Sequence, residues 1–246
     1  MILLIFIFGL IIGSFLNVLI YRIPRRESII WPGSHCAECG HKLSYKDLVP
    51  LFSYIFSKGK CRYCGNQIHY TYPLVEIITA VVFVLIFING GLSVWTLVGW
   101  IFISLLIVAS FTDISAGIIP DLLTYPGIIL GLALSFFTIG IKLALIGSIS
   151  FSLVFFLIVV LSKGGMGGGD VKLAAVIGAF VGPSGSFLVF VLASLLAMLW
   201  VIPLLIKNRA TRKTAIKFGP FLAIAAGLAY IYGSKILSSY LSFFGI

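Results

Sequence analysis

Charge is scarce in this sequence, and acid is the scarcest part of it. Only 10% of the 246 residues are charged and only seven are acidic, while 61% are hydrophobic; soluble domains run at about a quarter charged. A water-soluble globule is excluded, because so short a chain has no interior large enough for that much apolar sequence. Several helices of about 20 residues facing lipid can absorb it. A cleaved secretory signal is also missing. No basic segment precedes the apolar run of residues 1–20 and no small-residue cleavage site follows it, so it is expected to be a retained first helix. A phosphate-binding loop is absent too: Gly164-Gly165-Met166-Gly167-Gly168-Gly169 lacks the Gly-Lys-Ser/Thr ending and follows no soluble strand.

What is present is a series of apolar runs. After residues 1–20 they fall at roughly 73–88, 94–112, 122–140, 143–161, 170–182, 186–206 and 220–240. The expected fold is therefore all-α, a polytopic membrane protein of about eight transmembrane helices with one small cytoplasmic loop. Its parts are a first helix (1–20), a polar loop (21–72) and a helical membrane domain (73–246). With eight spans and an external N-terminus, one side receives Arg22, Arg25, Arg26, Lys42, Lys46, Lys58, Lys60, Arg62, Lys163, Lys172, Lys207, Arg209, Arg212, Lys213 and Lys217. The other receives only Lys142 and Lys235. Basic loops stay in the cytoplasm, so topology and anionic lipid headgroups account for the net charge of +10 without a nucleic-acid partner.

All four cysteines lie in the polar loop, as Cys36-Ala-Glu-Cys39-Gly and Cys61-Arg-Tyr-Cys64-Gly. Two residues between cysteines let both thiolates face one ion, and the following glycine lets the backbone turn so that amides point at sulfur. In a reducing cytoplasm two structural disulfides are the weaker reading. Four thiolates close the coordination sphere of a structural Zn2+, which would hold a loop too small to fold alone. His35, His41 and His69 are then ordinary loop residues.

Of the acids, Glu27, Glu38 and Asp47 fall in the polar loop, where solvation explains them. Glu76, Asp113, Asp121 and Asp170 lie in or at the edge of spans, where an ionisable group is costly and a functional reading is the default. Asp113 ends the third span and Asp170 opens the sixth, so both are expected at the cytoplasmic face. Two carboxylates sharing a site cannot both ionise cheaply; one keeps a proton while the other accepts, the pairing that activates water for peptide hydrolysis. The glycines before Asp170 would let an extended substrate backbone come close. Helix capping competes as an explanation of Asp170 and Asp121, and interaction with the helix dipole as an explanation of Glu76. An ion-coupled transporter would also use intramembrane acids and glycine-broken helices, but no inverted repeat is evident and these acids sit at one edge.

Taken together, these residues resemble the bacterial type 4 prepilin peptidases, of the glycine-x-glycine-aspartate group of intramembrane aspartyl proteases. The resemblance is carried by Gly13-Ser14-Phe15-Leu16-Asn17-Val18-Leu19-Ile20-Tyr21-Arg22-Ile23-Pro24, by the two cysteine pairs, and by Tyr72-Pro73-Leu74-Val75-Glu76. It continues in Asp113 with Ile119-Pro120-Asp121 and in Gly165-Met166-Gly167-Gly168-Gly169-Asp170-Val171-Lys172-Leu173. The resemblance implies that Asp113 and Asp170 are a catalytic pair, with Asp121 outside it. It implies removal of the basic leader from type IV prepilins or pseudopilins after a glycine, at the cytoplasmic face of a bacterial inner membrane. It further implies S-adenosylmethionine-dependent methylation of the new N-terminus, with Gly59 and Lys60 in the segment linked to methyl transfer; a peptidase without that second activity is the alternative.

Overall fold

The computed structural model describes residues 1–162, 165–206 and 217–243. Lys163, Gly164, Lys207, Arg209, Arg212 and Lys213, which enter the charge and glycine arguments above, lie outside the described residues.

The described residues form eight α-helices and no named strand. They are α1 (Ile2–Arg22), α2 (Phe52–Phe56), α3 (Thr71–Gly90), α4 (Val94–Ala116), α5 (Asp121–Ser135), α6 (Ile141–Leu161), α7 (Gly168–Ile206) and α8 (Gly219–Phe243). Among the described residues six of these are long and apolar enough to cross a membrane: α1, α3, α4, α6, α7 and α8. The all-helical, membrane-spanning class is thus borne out. Large apolar side chains such as Leu3, Leu4, Ile149 and Phe187 are left exposed, which suits hydrocarbon and not water.

The chain divides into two compact units, Met1–Thr96 and Leu97–Ile246. In the first, α1 and α3 pack through small residues. A Cβ on Gly9 would strike the Ala80 backbone and one on Gly13 the backbone of Glu76, the close approach by which helices associate where lipid gives no hydrophobic drive. The Asn17 amide donates to the Tyr72 carbonyl at 3.0 Å. Arg22, buried at the end of α1, donates to the carbonyls of Ser28, Ile29 and Gly33, fixing where the polar loop leaves the membrane edge.

In the second unit α7 decides the architecture. The apolar runs at 170–182 and 186–206 form one element, broken at Gly182 with φ 69 and ψ −175 directly before Pro183. A straight 39-residue helix would be about 58 Å long. That is nearly twice the thickness of a hydrocarbon core, about 30 Å, and the break at Gly182 divides it into two arms. The glycine tolerates the left-handed φ and the proline withholds the amide that would continue the helix. Gly182 lies beside Ile139 and Leu143, at the turn joining α5 to α6. The first arm of α7 packs on α6 with Gly178 against Gly147, backbone to backbone, and Phe180 stacks on Phe102 of α4 at 4.5 Å.

Candidate active site

Asp113 is the last acidic group of α4 and Asp170 stands in the first turn of α7. Each is 8% exposed, and the two carboxylates lie within electrostatic reach of one another. Two residues 57 positions apart are thus brought together at one end of the second unit. Backbone polar groups complete the surroundings. The Gly219 N–H donates to Asp113 Oδ2 at 3.2 Å, and the Lys217 ammonium donates to the carbonyl of Ile114 at 2.7 Å. On the other side Gly169 packs against Ile119, where a Cβ would come within 3.0 Å of the Ile119 Cβ. Of the glycines preceding Asp170, Gly169 therefore serves packing against Ile119, while a Cβ on Gly168 would meet nothing within 4 Å.

Asp121 is not a side-chain cap of α5; Pro120 holds the N-cap position. Its carboxylate instead meets the Lys172 ammonium at 2.5 Å, and that ammonium lies 5.2 Å above the Tyr125 ring. This ion pair joins the start of α5 to the start of α7, two residues beyond Asp170. Glu76 lies in the first unit. It is buried, and its Oε2 accepts the Leu51 N–H at 2.7 Å, so it anchors the polar loop.

Within the loop the four cysteine sulfurs lie within 4.8 Å of one another, with Cys36 and Cys64 3.9 Å apart. Sulfurs around one tetrahedral zinc at about 2.3 Å stand about 3.8 Å apart, whereas a disulfide needs about 2.05 Å. The donor set and its spacing fit a structural Zn2+ held by Cys36, Cys39, Cys61 and Cys64. The two pairs have the same construction. Gly40 N–H donates to the Cys36 carbonyl and Gly65 N–H to the Cys61 carbonyl, both at 2.9 Å, and both glycines take a positive φ. Amides around Cys36, first that of Cys39, favour its thiolate and bring it down to about 7. At Cys64 the Asn66 amide acts the same way but is outweighed by burial and the three neighbouring thiols, which push it up to about 12. One charge in a sulfur cluster makes the next harder to form, and a divalent cation removes that conflict. The histidines are engaged elsewhere: His41 stacks on Tyr63 at 3.6 Å, and His69 Nδ1 meets the Thr71 hydroxyl at 2.9 Å.

Gly59 forms a tight turn with φ +69 against the Tyr54 ring, and Lys60, exposed, begins the bridge to Gln67 that opens the second cysteine pair. Three further contributors escape sequence reading. Asp47, expected to be merely solvated, accepts from the Ser44 amide and hydroxyl and from the Tyr63 hydroxyl, and pairs with Arg62 at 3.4 Å. It staples the turn at Ser44–Asp47 to the second cysteine pair. Lys217 and Gly219 reach Asp113 and its neighbour from more than 100 positions away. Their only local signal is Gly219-Pro220, which marks a helix start and says nothing of what that start faces.

Residues 7–89 match the bacterial peptidase A24 N-terminal domain family, and residues 100–202 match the type IV leader peptidase family. Among curated proteins the chain is similar to a prepilin leader peptidase/N-methyltransferase of Bacillus subtilis (strain 168), with 36% identity over 238 residues covering 96% of each chain. It is also similar to proteins of that name from Xanthomonas campestris pv. campestris, 37% identical over 97% of this chain and 93% of the other, and from Pseudomonas aeruginosa, 35% identical over 96% and 92%. No solved structure matches.

Proposed function

The chain belongs to the type IV leader peptidase family and is an enzyme of type IV prepilin processing in the bacterial inner membrane, and from that premise we infer that Asp113 and Asp170 hydrolyse the bond between leader and mature prepilin. The observation that carries this reading is the pair itself: two buried carboxylates from different helices within reach of one another, one held by a backbone N–H. The Gly219 N–H orients the Asp113 carboxylate at 3.2 Å, which suits it to the part of proton acceptor. Asp113 then takes a proton from water as its oxygen attacks the scissile carbonyl, while Asp170 supplies one to the carbonyl oxygen. Collapse of the resulting diol breaks the C–N bond. The leaving amine takes up the proton held by Asp113, the remaining hydroxyl proton returns the pair to its starting state, and no acyl-enzyme forms.

The membrane domain, 73–246, carries this chemistry, and the loop, 21–72, faces the cytoplasm. The substrate is a type IV prepilin or pseudopilin, cut after a glycine where its basic leader meets its hydrophobic helix. A pair at the cytoplasmic edge reaches that bond without drawing the leader into lipid. The same protein methylates the new N-terminal amine. S-adenosylmethionine supplies the methyl group when bound, and Lys60, exposed on the turn that Gly59 shapes, would meet its carboxylate. Zinc held by the four cysteines is structural.

The test is Asp113→Asn and Asp170→Asn, each assayed with a prepilin and S-adenosylmethionine in liposomes, with the product N-terminus read by intact mass. Each substitution is expected to lower cleavage by at least about a thousandfold while leaving the protein in the membrane. Normal cleavage by either variant would sink the pair.

A further inference from the structure

The entrance to α8 meets the candidate pair through three consecutive residues, each fixed differently. Lys217 donates to the Ile114 carbonyl at 2.7 Å, one residue beyond Asp113. The Phe218 ring packs on Phe155 of α6 at 6.0 Å and on Phe221 of its own helix at 6.3 Å. The Phe218 carbonyl accepts the N–H of Phe221 and of Leu222, at 3.0 and 3.1 Å, so it closes the first turn of α8. Gly219 is then the first helical residue, and its N–H is one of those that no intrahelical carbonyl can satisfy. That free donor is spent on Asp113 Oδ2.

The absence of a side chain at Gly219 has a separate purpose. No strained backbone requires glycine here. A Cβ would stand 2.7 Å from Asp113 Oδ2 and 3.2 Å from its Cγ, so the space an alanine methyl needs is the space the carboxylate occupies. Of the atoms involved, the carboxylate is the most free to move. Alanine would therefore rotate Asp113 away from its donor before it disturbed α8.

We propose that Lys217-Phe218-Gly219 is a positioning clamp for the catalytic pair: Phe218 seats the turn on α6, Lys217 holds the end of α4 through the Ile114 carbonyl, and Gly219 fixes the Asp113 carboxylate by its N–H while leaving it room. The clamp rests on the reading of Asp113 as catalytic. It acts on the chemical step alone, because a hydrogen bond that orients the proton acceptor is worth most as the tetrahedral state forms.

The experiment measures kcat and KM for prepilin cleavage by the full-length protein in liposomes, comparing wild type with Gly219→Ala, Lys217→Met, Lys217→Arg, Asp113→Asn and the lipid-facing control Ile224→Ala, whose parent side chain is 54% exposed. Gly219→Ala is expected to lower kcat by about tenfold or more with KM within about twofold of wild type. Lys217→Met should lower kcat by about threefold to tenfold and Lys217→Arg should restore most of it, since a guanidinium can also donate to the Ile114 carbonyl. Ile224→Ala should match wild type. A folded Gly219→Ala with unchanged kcat, or with a defect in KM alone, overturns the clamp. If Gly219→Ala does not fold, the lysine pair decides: wild-type kcat in Lys217→Met, or equal loss in Met and Arg, overturns it. Cleavage by Asp113→Asn would instead remove the catalytic reading beneath it, whatever the other variants do.

Discussion

Asp47 shows how much a single residue can do that its surroundings in sequence do not announce. It sits in a stretch of ordinary polar composition, and solvation is the economical reading of it. In the folded loop it takes a hydroxyl and an amide from Ser44, a hydroxyl from Tyr63 and the guanidinium of Arg62. These partners, the Ser44 hydroxyl foremost, hold its carboxyl below the usual 3.8. A depressed carboxyl contributes stability that is present above the unfolded value and lost as pH falls through the folded one. The second cysteine pair depends on this staple, since Arg62 and Tyr63 lie between its two sulfurs. Asp47→Asn should therefore speed hydrogen exchange of loop amides at neutral pH by on the order of fivefold. The gap from wild type should close as the pH drops below about 3.8, where Asp47 itself begins to lose its charge. Exchange rates identical at neutral pH would show that the staple stabilises nothing. The catalytic candidates differ from Asp47 in that their cost is visible in the sequence: an aspartate at the end of an apolar run is conspicuous, one among serines and lysines is not.

The helices and the cysteine loop were legible for opposite reasons. Apolar run length is a strong signal, and α1, α3, α4, α6 and α8 fall within a few residues of where it puts them. It also divides α7 where the structure does: the runs 170–182 and 186–206 are separated at Gly182-Pro183, by torsion alone and with no polar gap between the two arms. α5, at 15 residues, begins where its run begins but ends several residues early, at the turn through Gly140. The loop was legible from cysteine spacing and glycine alone, with almost no secondary structure to read; between Arg22 and Thr71 it holds only a five-residue helix and a short 3-10 turn. An element with so little buried surface depends on its metal. Purified protein should carry one zinc per chain, and a chelator or Cys61→Ser should release it. Trypsin should then cut the loop at Lys42, Lys46, Lys58 or Lys60 at least about tenfold faster, with the membrane helices still intact on a gel. A metal-free loop that resists protease as well as the loaded one would refute the structural role of zinc.

At the scale of the whole molecule the hardest thing to read was which helix end meets which. When every face of a helix is apolar, periodicity no longer distinguishes the buried side from the lipid side, and the pairing of α8 with Asp113 spans 106 positions. Charge asymmetry is the one global signal that survives, and it makes a prediction of its own. Fifteen of the 17 basic residues are assigned to the side of the cysteine loop, the arrangement that basic retention in the cytoplasm would produce. Sidedness also bears on the chemistry. The proposed function has the prepilin leader waiting in the cytoplasm, and a carboxylate pair on the opposite face would require that basic segment to cross the hydrocarbon first, at about 2.5–3.5 kcal/mol or more for each charge. Trypsin added outside right-side-out spheroplasts should therefore leave the loop uncut, while the same protease added to inverted membrane vesicles should cleave between Arg25 and Arg62. Cleavage in the spheroplasts would place the loop outside. The positive-inside argument would then fail for this chain, and the cytoplasmic assignment of Asp113 and Asp170, which follows from the same count of crossings, would fail with it.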